Sequence, residues 1–365
     1  MRARFEITTR CNLNCIHCGA TEYKISKEWA TAEAIAAFED MISHGVHEVD
    51  FLGGEPFIRE DILELLSYLN DKGIGILIST NGLLLNEDTI DFLATLPYLI
   101  GISFSIDGAS REVYETIRGK GNYEKLLTNV QALVSKNKET GSQFQVGLTC
   151  VINKLNAPET DAIVALADQF DFNNVSFINI GWFGNAQKNK DKLYIGPLEE
   201  FKAYDRAARK VTRVNRIRAM KGKKALSFSI DSMPSIWKYA LVQKYPLLSQ
   251  VGGKFECQAG TGTLYFDASG VLYPCEAVRI HLKSIESEIG EYEKIPLPEH
   301  TYEEAVTSES FKKTVAYVQE KRQLYHDVVP CGSCKFSDGC SVCPLHAKSE
   351  KVIHWCTEDT INHIS

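Results

Sequence analysis

One stretch near the N-terminus decides the fold: residues 4–18 read Arg4-Phe5-Glu6-Ile7-Thr8-Thr9-Arg10-Cys11-Asn12-Leu13-Asn14-Cys15-Ile16-His17-Cys18. Residues 4–8 predict a strand, and three cysteines spaced C-x3-C-x2-C follow on the loop after it. A cubane iron–sulfur cluster is usually held by four thiolates, so three local cysteines would leave one iron open to a cofactor or substrate. A three-cysteine zinc site completed by His17 is the alternative, although one loop would struggle to close all four corners of a tetrahedron.

The first 180 residues alternate between short apolar runs and longer amphipathic stretches. We predict strands over residues 4–8, 48–52, 74–80, 99–106, 145–152 and 175–180, and helices over residues 32–43, 61–71, 87–96, 123–138 and 159–169. This alternation indicates an α/β fold with parallel strands and right-handed crossovers, as an open barrel or a doubly wound sheet. In either architecture, a ligand binds at the carboxyl ends of the strands.

The pattern changes after residue 181. Residues 197–220 predict a helix, and residues 226–256 show no strong period. From Cys257 onward the chain carries short strand-like pieces, glycine turns and seven of its eleven cysteines. The odd cysteine total and its clustering favour metal ligation over disulfides, so we expect metal to contribute much of the stability of this segment.

The net charge and the apolar pattern exclude several classes of protein. A formal net charge of −7 argues against a general nucleic-acid binder, and we interpret the basic stretch over residues 202–224 as a solvated helix face. No apolar run reaches the length that spans a bilayer, and the N-terminus lacks the apolar core of a secretory signal. We therefore predict a cytoplasmic protein.

Polar clusters follow several of the predicted strands. After the second strand stands Gly53-Gly54-Glu55-Pro56, where two glycines allow close backbone approach to a ligand and Glu55 offers an anionic partner for an ammonium group. A plain strand-to-helix turn is the alternative for this motif. The ends of the third, fourth and fifth strands, and the segment after the fourth, supply further polar candidates: Ser79, Asn81, Ser105, Asp107, Arg118 and Asn153.

These motifs resemble those of the radical S-adenosylmethionine (radical SAM) superfamily, whose signature is C-x3-C-x2-C with an aromatic residue, here His17, before the third cysteine. The resemblance implies a partial (β/α)6 TIM-like barrel in which Cys11, Cys15 and Cys18 hold a [4Fe–4S] cluster. The open iron would bind S-adenosylmethionine, whose reductive cleavage yields a 5′-deoxyadenosyl radical that abstracts a substrate hydrogen. Many members have Tyr or Phe after the third cysteine, whereas this chain has Gly19.

The same resemblance assigns roles to the polar candidates. Glu55, within its Gly-Gly-Glu-Pro motif, would contact the amino group of the methionyl moiety. Ser105 and Asp107 would lie near the ribose or the carboxylate, and Arg118 would pair with that carboxylate. Asn153 would contact the adenine. For each of these residues, a turn-forming or solvated polar side chain is the alternative.

The C-terminal cysteines resemble a SPASM domain, the auxiliary-cluster module of many peptide-modifying radical SAM enzymes. Its pattern, C-x9–15-G-x4-C and then C-x2-C-x5-C-x3-C with a final cysteine, is matched except for one shortened spacing before Cys343. The resemblance implies two auxiliary clusters, the first held by Cys257, Cys275 and Cys343, the second by Cys331, Cys334, Cys340 and Cys356. The first cluster would then have only three cysteine ligands. Zinc is the alternative for the paired C-x2-C units.

Two further residues carry predictions. Glu276 directly follows Cys275, and in sulfatase-maturating relatives an acidic residue at the corresponding place is the proposed base. Burial beside a cluster would perturb the pKa of such a carboxylate, although a surface carboxylate or a cluster ligand would look the same in sequence. Cys150 lies within an apolar strand, and we predict a buried core thiol there.

The sequence thus predicts three regions: a radical SAM barrel over residues 1–190, a helical bridge over 191–256 and a SPASM domain over 257–365. The predicted activity is an oxidoreductase that cross-links, epimerises or dehydrogenates a ribosomally made peptide. Alternatives are dehydrogenation or epimerisation of an aminocyclitol or sugar, sulfatase maturation, a non-catalytic iron–sulfur electron carrier, and a zinc-bound interaction module. Expected partners are a flavodoxin- or ferredoxin-type electron donor and a separate leader-peptide-binding protein, since the signature begins at residue 11.

Overall fold

The computed structural model describes residues 1–22, 27–231, 236–246, 248, 257–326, 343 and 345. Nine strands lie within these residues: β1 (Arg2–Thr8), β2 (Glu48–Gly53), β3 (Gly75–Thr80), β4 (Leu99–Ser105), β5 (Gln145–Ile152), β6 (Asn174–Asn179), β7 (Ser227–Asp231), β8 (Thr263–Phe266) and β9 (Leu272–Tyr273). The same residues form thirteen α-helices: α1 (Thr31–Ser43), α2 (Ile62–Asp71), α3 (Glu87–Ala94), α4 (Arg111–Arg118), α5 (Tyr123–Glu139), α6 (Thr160–Gln169), α7 (Gly184–Lys188), α8 (Lys190–Leu193), α9 (Pro197–Met220), α10 (Ile236–Lys244), α11 (Glu276–Ile289), α12 (Tyr302–Thr307) and α13 (Glu309–His326).

The strands form one sheet in the order β7-β6-β5-β4-β3-β2-β1-β8-β9. All neighbouring strands pair in parallel except β8 and β9, which are antiparallel. Over the described residues the sheet stays open, with β7 and β9 at its edges. This confirms the predicted α/β fold with the parallel sheet of a partial barrel.

The six predicted strands and five predicted helices are all present, with ends shifted by at most two residues. Periodicity explains this agreement: in α2, for example, Ile62, Leu65, Leu66 and Leu69 are buried on one face. The helix predicted over residues 197–220 is α9. Among the described residues, no helix has the length and apolar content needed to cross a membrane.

Several elements were not predicted, and α4 and β7 are two of them. The eight-residue helix α4 is mostly polar, and Tyr114 and Ile117 are its buried apolar residues, too few to show a helical period. Strand β7 has five residues and lies in the region predicted as a bridge, where Phe228 and Ile230 alternate inward. The parallel part of the sheet therefore extends beyond the six predicted strands.

The core forms between β1 and the elements on either side of it. Phe5 stacks on Phe266 of β8 with ring centroids 4.6 Å apart and meets Phe38 of α1 edge-on at 5.4 Å. Trp29 packs against the Phe5 ring and donates its indole N–H to the carbonyl of Leu297 at 2.6 Å. Residues near the two ends of the chain therefore share one hydrophobic core.

The opposite face of β1 is charged and is covered by α11. Arg4 pairs with Glu276 and donates to Asp50 at 3.1 Å, while the guanidinium of Arg279 lies 3.4 Å from Glu6. Because successive side chains of a strand point to opposite faces, Arg4 and Glu6 share this face. The C-terminal region therefore packs against the sheet through both hydrophobic and ionic contacts.

Candidate active site

The three cysteines of the N-terminal motif lie on the loop that leaves the carboxyl end of β1. Backbone bonds fix this loop from two sides: Ile16 N–H donates to the carbonyl of Ile117 at the end of α4, at 3.0 Å, and Asn185 N–H of α7 donates to the carbonyl of Cys18, at 2.9 Å. Asn185 also donates its side-chain amide to the carbonyl of Cys15 at 3.1 Å. The thiol positions are therefore set by elements distant in sequence.

The glycines of the Gly-Gly-Glu-Pro motif approach this loop closely. Gly54 N–H donates to the carbonyl of Thr8 at 2.7 Å, and Glu55 N–H donates to the carbonyl of Arg10 at 2.8 Å. A Cβ atom on Gly54 would lie 1.9 Å from the Arg10 oxygen, and Gly53 has a φ of +128°. Close backbone approach is the reason for both glycines, and the surface they approach is the protein's own cysteine loop.

The Glu55 carboxylate is fully buried and is used within the protein. It accepts hydrogen bonds from the Thr80 hydroxyl and from Asn81 N–H, both at 2.7 Å. Burial raises the pKa of Glu55, although these donors act in the opposite direction. The Asn81 amide in turn donates to Asn12 at 2.8 Å and lies 3.9 Å from the Cys11 sulfur. Glu55 thus connects the end of β3 to the cysteine loop.

Asp107 lies just beyond the carboxyl end of β4 and is fully buried. Its carboxylate accepts from Val151 N–H at 2.6 Å and from Arg118 Nε, and it lies 3.3 Å from His17 Nε2. A second nitrogen of Arg118 lies 4.0 Å from the Cys15 sulfur. Burial is the largest single influence on Asp107 and opposes its ionisation, but Arg118, His17 and the Val151 N–H together outweigh it, so that the pKa of this carboxyl lies below its ordinary value.

The remaining predicted cofactor contacts lie at or near the same edge of the sheet. Ser79 and Ser105 are half-buried near the carboxyl ends of β3 and β4. Asn153 is fully buried after β5, where it accepts from Leu155 N–H at 3.0 Å and donates to the carbonyl of Val151 at 3.1 Å. The structure therefore shows a turn-stabilising role for Asn153, and its predicted adenine contact stays a prediction.

The donor set of the cysteine loop fits an anionic iron–sulfur cluster. Cys11 is exposed, Cys18 is half-buried, and Cys15 is buried, which raises the pKa of its thiol to about 12. A metal centre deprotonates such a thiol, and the buried Arg118 supplies a compensating positive charge beside it. Among the described residues, no three His, Cys, Asp or Glu side chains lie close enough together to form a metal site, and this includes the three thiols of the loop.

Three of the predicted auxiliary ligands lie in one region. Cys257, Cys275 and Cys343 are half-buried and pack against a hydrophobic cluster that contains Tyr265 and Tyr273. Cys275 directly precedes α11, and burial raises the pKa of its thiol to about 12. The other four predicted ligands, Cys331, Cys334, Cys340 and Cys356, lie outside the described residues.

The two remaining sequence predictions have different surroundings. Glu276 is the first residue of α11, and its half-exposed carboxylate forms an ion pair with Arg4. Cys150 is fully buried in β5, as predicted, and its sulfur accepts from the Asn156 amide at 3.4 Å.

Sequence reasoning missed several residues that shape this site. Glu28 accepts from Thr9 N–H at 3.1 Å and lies 3.2 Å from Arg10 Nε, which holds the start of the cysteine loop. Glu6 and Arg279 form a buried pair below it. A charged residue within an apolar strand is a usable signal for Glu6, whereas the sequence near Glu28 and Arg279 carries none.

Comparison with known protein families gives a match over the N-terminal part of the chain. Residues 5–167 match the Radical SAM superfamily. Those residues, which include the cysteine loop and the polar strand ends described above, are similar to members of that superfamily. The match leaves the C-terminal region uncovered.

Two curated relatives and one solved structure show the extent of the similarity. Fe-coproporphyrin III synthase of Methanosarcina barkeri is 33% identical over 190 residues, which are 50% of this chain and 45% of the relative. Mycofactocin maturase MftC of Mycolicibacterium smegmatis is 30% identical over 167 residues, 46% of this chain and 41% of the relative. The chain thus spans less than half the length of either. SuiB of Streptococcus suis bound to S-adenosylmethionine has a TM-score of 0.69 at 16% identity, covering 99% of this chain and 76% of SuiB, and shares the fold.

Proposed function

We propose that this protein is a radical SAM enzyme that removes a hydrogen atom from a peptide substrate. The observation that carries the proposal is the cysteine loop at the carboxyl edge of a parallel sheet, with the buried Arg118 4.0 Å from the Cys15 sulfur. A [4Fe–4S] cluster held by Cys11, Cys15 and Cys18 would supply the electron that cleaves S-adenosylmethionine and generates the hydrogen-abstracting radical.

The residues around the loop would bind and orient that cofactor. The half-buried Ser79 and Ser105 lie near the ends of their strands, where hydroxyls can contact a ribose. Glu55, with both oxygens already bonded to β3, would contribute mainly by fixing Asn81 beside Cys11. Asn153 is proposed to contact the adenine of the cofactor.

A peptide substrate is favoured by the relatives. MftC is a maturase, and SuiB has been solved with its precursor peptide SuiA. The charged face of β1 and α11, with the half-exposed Arg4 and Glu276, would provide polar contacts for a peptide backbone. Cross-linking, epimerisation and dehydrogenation all begin with such a hydrogen abstraction, and Glu276 is the proposed base for a dehydrogenation.

The C-terminal region is proposed as a SPASM domain over residues 257–365, after a barrel over 1–190 and a bridge over 191–256. It would hold two auxiliary clusters, with Cys257, Cys275 and Cys343 on the first. Their shared hydrophobic surroundings support this grouping. We also propose that a flavodoxin- or ferredoxin-type protein donates the electron and that the protein is cytoplasmic.

A tetrapyrrole is the second candidate substrate, because Fe-coproporphyrin III synthase and an AdoMet-dependent heme synthase of Methanosarcina barkeri are 33% and 32% identical over the matched region. A macrocycle needs a wide apolar site, whereas a peptide needs backbone hydrogen-bonding partners. The charged face of β1 therefore favours the peptide.

The first experiment measures iron and 5′-deoxyadenosine after anaerobic reconstitution and reduction. We expect about twelve irons per chain, since three cubanes hold four each. A variant with Cys11, Cys15 and Cys18 replaced by Ala should keep about eight irons and release no 5′-deoxyadenosine. Cys150→Ala is the matched control and should behave as the wild type. Unchanged iron in the triple variant, or stoichiometric zinc, would contradict the proposal.

The second experiment separates the substrates. A random peptide library with deuterated side chains and unlabelled Fe-coproporphyrin III are each added to the reduced enzyme. Deuterium in the released 5′-deoxyadenosine, detected by mass spectrometry, is expected with the peptides. Stimulation of 5′-deoxyadenosine release by the porphyrin alone would instead support the tetrapyrrole.

A further inference from the structure

Asp107 lies buried just beyond the carboxyl end of β4, beside His17 of the cysteine loop. Its side chain is fully buried, and its two oxygens are shared among Val151 N–H, Arg118 Nε and His17 Nε2. Its carbonyl oxygen accepts from the Asn156 amide at 3.1 Å. The resemblance implied a contact with the ribose or carboxylate of the cofactor, and the structure shows this carboxylate beside three groups of the protein.

Arg118 is the group through which Asp107 meets the cysteine loop. It ends α4, is 8% exposed, and reaches Asp107 with Nε and the Cys15 sulfur with a terminal nitrogen. The preceding carbonyl of Ile117 accepts from Ile16 N–H, which joins the backbone of the loop to the same helix end. A guanidinium is planar and rigid, so fixing one edge of it fixes the other edge.

We propose that Asp107 is a positioning residue that holds the Arg118 guanidinium against the Cys15 thiolate and thereby raises the reduction potential of the cluster on that loop. The inference rests on the proposed function, because it requires a cluster at Cys11, Cys15 and Cys18. Net charge and hydrogen bonds to the sulfurs tune the potential of an iron–sulfur cluster. A fixed cation beside a ligating sulfur stabilises the reduced form, which carries one more negative charge.

The direction in which Asp107→Asn changes the reduction potential distinguishes a positioning role of Asp107 from a direct effect of its charge. If only the negative charge of Asp107 mattered, Asp107→Asn would remove a repulsion and make reduction easier. If Asp107 acts through Arg118, the amide no longer holds the guanidinium, and reduction becomes harder. Arg118→Gln removes the cation itself and sets the size of the expected change.

The test is a redox titration of the reconstituted full-length protein, followed by electron paramagnetic resonance. Only the part of the signal that changes when S-adenosylmethionine is added is followed, which isolates the N-terminal cluster from the others. At one fixed potential, we expect Asp107→Asn and Arg118→Gln each to lower the ratio of reduced to oxidised cluster by about tenfold. The double variant should match Arg118→Gln, because the two residues act as one unit.

Asp205→Asn is the matched control. Asp205 is also buried and ion-paired, with Arg209 and Lys244, and belongs to α9. It should leave the ratio unchanged. If Asp107→Asn does not fold, Arg118→Lys replaces it: lysine keeps the charge but lacks the two-edged geometry, and it should resemble Arg118→Gln.

The outcomes distinguish the inference from the proposed function. A wild-type protein without any signal responsive to S-adenosylmethionine contradicts the proposed function. A responsive signal with a ratio that rises in Asp107→Asn, in both the wild-type and the Arg118→Gln backgrounds, overturns the positioning role. So does an Arg118→Lys variant that matches the wild type. Equal iron content in all variants shows that the ratios compare the same cluster.

Discussion

Glu6 is a carboxylate enclosed between β1 and α11, with 3% of its surface exposed. Burial raises its pKa to about 7 from an ordinary 4.5, and the neighbouring Arg279 only partly offsets this effect. Asp267 and Glu276, which face the same carboxylate, raise the pKa further. The folded protein therefore retains a proton on Glu6 in a pH range where the unfolded chain has released it.

This retained proton makes stability depend on pH. Between pH 4.5 and about 7 the folded state binds more protons than the unfolded state, so the free energy of unfolding falls as the pH rises. The loss amounts to about 3 kcal/mol, from about 1.4 kcal/mol per pKa unit. Glu6→Gln should remove this part of the slope, measured as the urea midpoint under anaerobic conditions. The exposed Glu64→Gln serves as control and should keep the slope; an unchanged slope in Glu6→Gln would refute the assignment.

A second residue-scale prediction concerns Gly54. An added Cβ would lie 1.9 Å from the Arg10 oxygen, and the other atoms it would meet are backbone carbons of Arg10 and Thr9, which cannot rotate away as a side chain could. Gly54→Ala should destabilise the protein by about 2 kcal/mol, as overpacking does, and lower the iron bound by the cysteine loop. In Gly196→Ala, nothing lies within 4 Å of the new Cβ. Equal iron content and equal melting temperatures in the two variants would contradict this explanation.

At the scale of elements, α4 links the cysteine loop to the rest of the sheet. Ser110 begins this helix: its hydroxyl accepts from Val113 N–H at 3.3 Å and also bonds to Glu159. Glu159 accepts from Ala109 N–H at 3.0 Å and precedes α6, so one carboxylate connects the starts of two helices. The far end of α4 carries Ile117 and Arg118, which contact the loop.

Removal of the Ser110 N-cap should therefore destabilise α4 as a whole. Ser110→Ala should lower the free energy of unfolding by about 1 kcal/mol, the usual cost of losing an N-cap side chain. Thr128→Ala removes an exposed hydroxyl that donates to Glu124 in the middle of α5, and its cost should be within about 0.5 kcal/mol of zero. Urea unfolding of both variants measures the difference, and similar costs would argue against the cap.

At the scale of the whole molecule, the sheet crosses the predicted regional boundaries. Strand β7 lies in the predicted bridge, and β8 and β9 lie in the predicted C-terminal domain, yet all three belong to the same sheet as β1. Phe266 of β8 is fully buried against Phe5. The division into three regions stays a prediction from the sequence. The hydrophobic core contains residues from all three regions.

This continuity predicts cooperative unfolding. Phe266→Ala should cost about 3–5 kcal/mol, as large-to-small core substitutions do, and should lower the unfolding midpoint of the whole chain. Cluster absorbance and far-UV circular dichroism should shift together. Tyr98→Ala, at a residue 48% exposed, is the control and should shift neither. Separate transitions for the two signals in Phe266→Ala would show independent domains.

Patterns among neighbouring residues are sufficient to predict the local features of this protein. Strands and helices such as β5 and α2 follow from periods of two and 3.6 residues, and the cysteine loop follows from spacing within eight residues. Such signals are contained in neighbouring residues. For that reason the parallel sheet, the similarity to the radical SAM superfamily and the position of the cysteines at the carboxyl edge were predictable without coordinates.

The contacts between distant segments, by contrast, are visible only in the folded chain. Arg118 and Cys15 are 103 residues apart, and Glu276 and Arg4 are 272 apart, so no local pattern records either contact. Asp107 has the sequence appearance of a ligand-binding aspartate, and its complete burial among protein donors is visible only in the folded chain. The physical reason is that burial and charge pairing depend on packing between distant segments, which many sequences with the same local signals would arrange differently.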